Sequence, residues 1–170
     1  MNLKSPRLVT SILSSLVYVF IANLLNFNSA AAGSGIRPVS IFITLAFLAL
    51  WGWQLAASAA NEKPHFFIFT IVYWLAALVF YWMTYFAIAY NLSAFSIFGL
   101  IGMLMLYVPL YPLVALVRYY LLMDYFIAYT IAFAVCFALL LAVYGLRRKK
   151  ALAALEDQRL MDSMEDKPQE

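Results

Sequence analysis

Residues 65–90 read HFFIFTIVYWLAALVFYWMTYFAIAY, twenty-six positions without one Lys, Arg, Asp or Glu. As a helix this stretch is about 39 Å long at ~1.5 Å per residue, more than the roughly 30 Å hydrocarbon core of a bilayer. Its apolar residues fall on every side, so a water-soluble fold would have to bury it completely. A membrane meets that demand without further structure.

The rest of the chain repeats the pattern. Apolar stretches at 8–25, 40–60, 92–117 and 120–146 flank the first, and each is long enough to cross alone. Between Leu8 and Leu146 the only charged side chains are Arg37, Glu62, Lys63, Arg118 and Asp124. Charged residues make up 11% of the 170 residues, against about 25% in soluble domains. The expected fold is all-α: one polytopic transmembrane helical bundle of five spans over residues 1–146. A tail over 147–170 follows, basic and then acidic, helical at first and disordered by MEDKPQE.

The links are short: Asn26–Val39, Ala60–Pro64, Asn91, and a minimal turn at Arg118. Proline at position 64 suits a helix entrance. The N terminus, MNLKSPR followed by an apolar run and then Ser-Ala-Ala-Ala, also fits a secretory signal cleaved near Ala31 or Ala32. The run is longer than the roughly 7–15 residues of a removable signal, so a retained first helix is the preferred reading.

Helices in lipid associate where small residues let backbones approach. Three such rows are expected to pack: Ala46, Ala49, Gly52, Ala56 and Ala60 in the second span, Ser96, Gly99 and Gly102 in the fourth, and Ala134, Ala138, Ala142 and Gly145 in the fifth. The third span carries eleven aromatics, and two rows spaced by seven residues, Phe66–Tyr73–Phe80 and Phe67–Trp74–Tyr81, share one broad face. That face is either ring-on-ring packing against lipid or neighbours, or a wall for a flat ligand. Pro109 and Pro112 remove two donors from the fourth span and predict a kink between Met105 and Pro109. The carbonyls they free need partners, either in simple packing or beside a cavity.

Few residues are equipped for chemistry. Asp124 is the one acid placed within a span, near its edge, and Tyr120 at i−4 could donate to it. Arg118 lies six positions earlier, off that face. Gln54 sits mid-span and needs a hydrogen-bonding partner. Asp124, Tyr120, Arg118 and Gln54 are therefore the candidate ligand or ion residues. Asn23, Gln54, Tyr85, Asn91 and Asp124 would be the polar material of any conducting path. His65 is the only histidine and Cys136 the only cysteine, which leaves no pair for haem, a thiolate cluster or a disulfide. HExxH, GxSxG and P-loop patterns are missing. No catalytic residue, metal or cofactor is expected.

Charge bears on orientation. Lys4 and Arg7 favour a cytoplasmic N terminus, whereas Arg147–Lys150 favours a cytoplasmic C terminus. Five crossings cannot satisfy both. Counting basic residues near the spans, with the C terminus inside that side collects Arg37, Arg147, Arg148, Lys149, Lys150 and Arg159, against Lys4, Arg7, Lys63 and Arg118 outside. The contiguous basic run decides for the C terminus inside. An even number of crossings would need one re-entrant stretch, for which the kinked fourth is the candidate. A basic face on a soluble module is lacking, so nucleic acid is not an expected partner. Membrane lipids, and a membrane-protein partner or a second copy of the chain, are. The expected role is a non-enzymatic subunit or accessory factor of a membrane assembly, in a bacterial inner membrane. A small oligomeric transporter or channel using Asp124 is the alternative, and a membrane enzyme of lipid or envelope metabolism the third.

Overall fold

The computed structural model describes residues 6–33, 36–59, 64–92 and 96–165. Within them the chain forms α1 (Pro6–Ala32), α2 (Pro38–Ala59), α3 (His65–Ala89), α4 (Ser96–Gly102), a π-helical turn (Met103–Tyr107), α5 (Val108–Leu121) and α6 (Tyr125–Glu165). There is no strand among the described residues. Five helical segments are long and apolar enough to cross a membrane, the fourth running through the π-turn from Gly99 to Leu121. The chain is an all-α bundle of membrane type.

Helix ends follow local chemistry. Pro38 occupies the first turn of α2, where its missing N–H costs nothing, and the Arg37 carbonyl accepts from Ser40 and Ile41. Asn91 adopts φ 54° after α3. Leu92 N–H then bonds the Ala87 carbonyl at 2.9 Å, the backbone closure of a left-handed helix cap. The last carbonyl of α2, on Ala59, accepts from Arg148 of α6 at 3.1 Å.

Two boundaries differ from expectation for physical reasons. α1 continues past residue 25 to Ala32, because Asn26 turns into the bundle and is fully buried instead of ending the helix. Arg118 lies in the last turn of α5, not in a link. The break falls at Leu122–Asp124, and α6 starts at Tyr125. α6 then runs 41 residues without interruption, about 62 Å at ~1.5 Å per residue, so its last third projects beyond any bilayer core. Met164 and Glu165, the first two residues of the stretch expected to be disordered, still belong to α6; the rest of that stretch lies outside the described residues, as does Ala60.

Rings on α3 hold the bundle together. Phe67 stacks on Tyr144 (3.9 Å between centroids), Trp74 on Phe137 (5.8 Å) and Tyr81 meets Tyr129 (4.0 Å). The Phe67–Trp74–Tyr81 row is thus a seam with α6. Tyr73, from the neighbouring row, lies against Trp51 of α2 at 5.3 Å. Trp51 is buried and donates to Thr70, whereas Trp53 is 66% exposed.

The small residues divide into two groups. Gly99 and Gly102 bring α4 against α3: a methyl group at Gly102 would lie 2.5 Å from the Tyr81 nitrogen, and one at Gly99 would collide with Thr84. Gly52 faces Leu140 of α6 with room to spare, at 3.6 Å, and Ala56 is half-buried. Ala46, Ala49, Ala134, Ala138 and Ala142 are exposed, and nothing lies within 4 Å of a methyl built on Gly145. The α6 row is therefore turned outward among the described residues.

These contacts predict opposite outcomes for two glycine substitutions. Gly102→Ala should abolish or sharply reduce folded, monodisperse protein in detergent, because rigid backbone stands in the way. Gly52→Ala should shift thermal unfolding by no more than about 1 kcal/mol. Equal tolerance of both would contradict the packing described.

Candidate functional site

Pro109 determines the chemistry at the centre of the bundle. It has no N–H, so the carbonyl of Met105, its i−4 partner, loses a donor. In the π-turn the register shifts to i−5, as shown by Val108 N–H bonding to the Met103 carbonyl. In that register the donor lost is the one for the Leu104 carbonyl, so the single missing N–H falls where the register passes between Leu104 and Met105. Neither group can be left bare in a water-free setting, where each would cost several kcal/mol.

Three other helices bring side-chain donors to this turn. Tyr73 of α3 donates its hydroxyl to the Met105 carbonyl at 3.0 Å. Asn23 of α1 donates to the Leu104 carbonyl at 2.6 Å. Thr44 of α2 donates to the carbonyl of Pro109 itself at 2.7 Å, with the Asn26 amide 3.5 Å away. The π-turn is clamped from three sides, with Leu106 and Leu110 fully buried beside it. Two acceptors remain over: Oδ1 of Asn23 and of Asn26 are buried and receive no hydrogen bond among the described residues. A groove of about 670 Å³ opens sideways at this level, lined by Val19, Phe20, Asn23, Tyr73, Leu104 and Met105.

Gln54 has a comparable task lower in the bundle. Its amide NH₂ donates to Ser14 at 2.7 Å and its oxygen accepts from Ser15 at 2.5 Å, tying α2 to α1. Gln54 is buried, and both ends of its amide are engaged.

Asp124 and Arg118 lie together at one end of the bundle, away from Gln54. Asp124 caps α6: its Oδ1 accepts from the Phe126 and Ile127 N–H groups at 2.7 and 3.0 Å, the geometry of a helix N-cap. The expected Tyr120 bond is not made. Tyr120 is in α5, Asp124 is beyond the break, and the i−4 relation presumed one continuous helix. Tyr120 is 75% exposed. Arg118 donates to the Tyr125 hydroxyl at 2.9 Å, its guanidinium 4.1 Å from that ring's centroid. It stands at the rim of a cavity of about 580 Å³ lined by Gly33, Ile36, Tyr111, Leu122 and Tyr125. The four sequence-predicted residues thus form no single site.

Comparison with known proteins returns no match: no family model, no curated protein and no solved structure resembles this chain.

Two predictions follow from the bonds above. Tyr73→Phe should cost about 1–3 kcal/mol through the unpaired Met105 carbonyl, and markedly less in a Pro109→Ala background, where a backbone donor returns. A double-mutant cycle on thermal or denaturant unfolding in micelles checks the coupling; strict additivity would contradict it. Asp124→Asn should leave stability almost unchanged, because Asn caps as well as Asp, whereas Asp124→Ala should cost about 1 kcal/mol. Equal losses in both variants would mean that the carboxylate's charge, not its cap, is what the protein uses.

Proposed function

We propose that this protein is a non-enzymatic integral membrane subunit that associates, through the outer face of α6, with a membrane-protein partner or a second copy of itself. The carrying observation is the small-residue row Ala134, Ala138, Ala142 and Gly145, spaced for close helix contact yet exposed on the outer face of the bundle, with open space around Gly145. Close approach at small residues is what drives helix association where hydrophobic sorting is unavailable. The buried polar groups support the same reading. Gln54, Asn23, Thr44 and Tyr73 each hold a neighbouring helix or carbonyl. The transporter reading through Asp124 has less support, since that carboxylate spends an oxygen on a helix cap at the bundle's edge.

A bacterial inner membrane with the C terminus in the cytoplasm fits this role. Arg147–Lys150 follows directly where the apolar part of α6 ends. Four basic groups there oppose translocation and attract anionic headgroups.

Cross-linking tests the proposal. In a Cys136→Ala background, Ala138→Cys carrying a benzophenone maleimide should give a discrete protein product on irradiation in native membranes. A doubled mass identifies a second copy, and any other defined mass a heterologous partner. Ala142→Cys should behave alike, and adding Ala134→Leu should suppress the product. Monomer alone at both positions would refute an α6 interface.

A further inference from the structure

We propose that the fourth apolar segment is re-entrant. It enters the membrane at the Gly33 end of the bundle, reverses at the π-turn and leaves by the same face. The chain then crosses four times, and both termini lie in the cytoplasm.

Neighbouring helices and chain continuity fix the path. α3 and α6 are antiparallel, fixed by ring pairs spread along them: Phe67 with Tyr144, Trp74 with Phe137, Tyr81 with Tyr129, and Tyr85 with Phe126 at 4.6 Å. Whatever joins the end of α3 to the start of α6 must therefore begin and finish on one side. That joining piece is α4, the π-turn and α5. α1 gives the same answer independently, because a methyl on Gly33, just past its end, would lie 3.4 Å from the Tyr125 hydroxyl at the start of α6.

The reversal can be followed residue by residue. Gly99 lies beside Thr84 and Gly102 beside Phe80 and Tyr81, so α4 runs away from the Gly33 end. The Leu104 carbonyl then meets Asn23 and the Pro109 carbonyl meets Asn26. α1 climbs toward Gly33 between those two residues, and the chain climbs with it. Arg118 arrives at Tyr125, at that same end. The direction changes between Gly102 and Pro109, the interval holding the π-turn. Sharp bends in helices occur at prolines and π-turns. Irregular backbone at membrane depth is tolerated where protein buries it, as the three donors and the buried Leu106 and Leu110 do here.

Charge supplies a separate argument. Of the basic residues near the spans, four crossings place Lys4, Arg7, Lys63, Arg147, Arg148, Lys149, Lys150 and Arg159 on one side, with only Arg37 and Arg118 on the other. Eight against two is the asymmetry a cytoplasmic face shows; five crossings give six against four. The conflict between the two ends of the chain disappears. The inference stands whether or not α6 has a partner.

Two single cysteines in the full-length Cys136→Ala protein decide it. Asn91 and Leu122 flank the segment, and both are exposed, Leu122 at 92%. Asn91→Cys and Leu122→Cys should each react with a membrane-impermeant maleimide on intact spheroplasts. Ser163→Cys in the tail should react only after permeabilisation. Tyr120→Cys replaces Leu122→Cys if that variant expresses poorly. Labelling of positions 91 and 122 from opposite sides would overturn the proposal. So would labelling of both from the side that exposes Ser163.

Discussion

Hydrocarbon offers no hydrogen bonds, so every backbone carbonyl inside it must find a donor within the protein. Pro109 withholds one N–H where the register passes between Leu104 and Met105, and much of the bundle answers it. Asn23 fixes α1 to the π-turn, Thr44 fixes α2, and Tyr73 fixes α3. Each bond is strong because the alternative is an unsatisfied group in a low-dielectric interior. The helices that supply the donors are thereby placed around the turn.

Shape complementarity does the remaining work. Apolar surface does not separate helix neighbours from lipid, since both are greasy. Stacked rings on α3 and α6 and the glycines of α4 provide contacts that lipid tails cannot match. The Phe67–Trp74–Tyr81 seam sets the relative direction of α3 and α6. That direction in turn brings the two ends of the α4–α5 segment to one side. The path of the chain thus depends on ring contacts far from the π-turn as well as on the proline within it.

The sequence made much of this legible. Apolar length located the membrane helices, because hydrophobic length is a one-dimensional property. The paired prolines located the irregular turn, because a missing N–H is written in the residue itself. Path was not legible: twenty-three apolar residues from Gly99 to Leu121 satisfy any length criterion, yet length is blind to a bend. The conflict between Lys4–Arg7 and Arg147–Lys150 was the sequence's own sign that five simple crossings do not satisfy both ends of the chain. The donors at the π-turn were legible only in part. Asn23 stood out as polar in a greasy run, but Thr44 and Tyr73 read as ordinary helix residues until their neighbours were known. Asp124 was misplaced because Arg118 was taken as the turn. Moving the break four residues on turns an intramembrane carboxylate into a cap. The α6 alanines were legible as a packing row but not as an outward one, since periodicity gives a face and not its neighbour.

The most direct measurement of the central claim is the infrared amide I band of a single ¹³C=¹⁸O label at the Met105 carbonyl in lipid. A carbonyl accepting from the Tyr73 hydroxyl absorbs at lower frequency than a free one. Tyr73→Phe should move the band up, while Pro109→Ala in that same background should bring it back down. A band already at the free-carbonyl position in the unmodified protein, and unmoved by either substitution, would contradict the account.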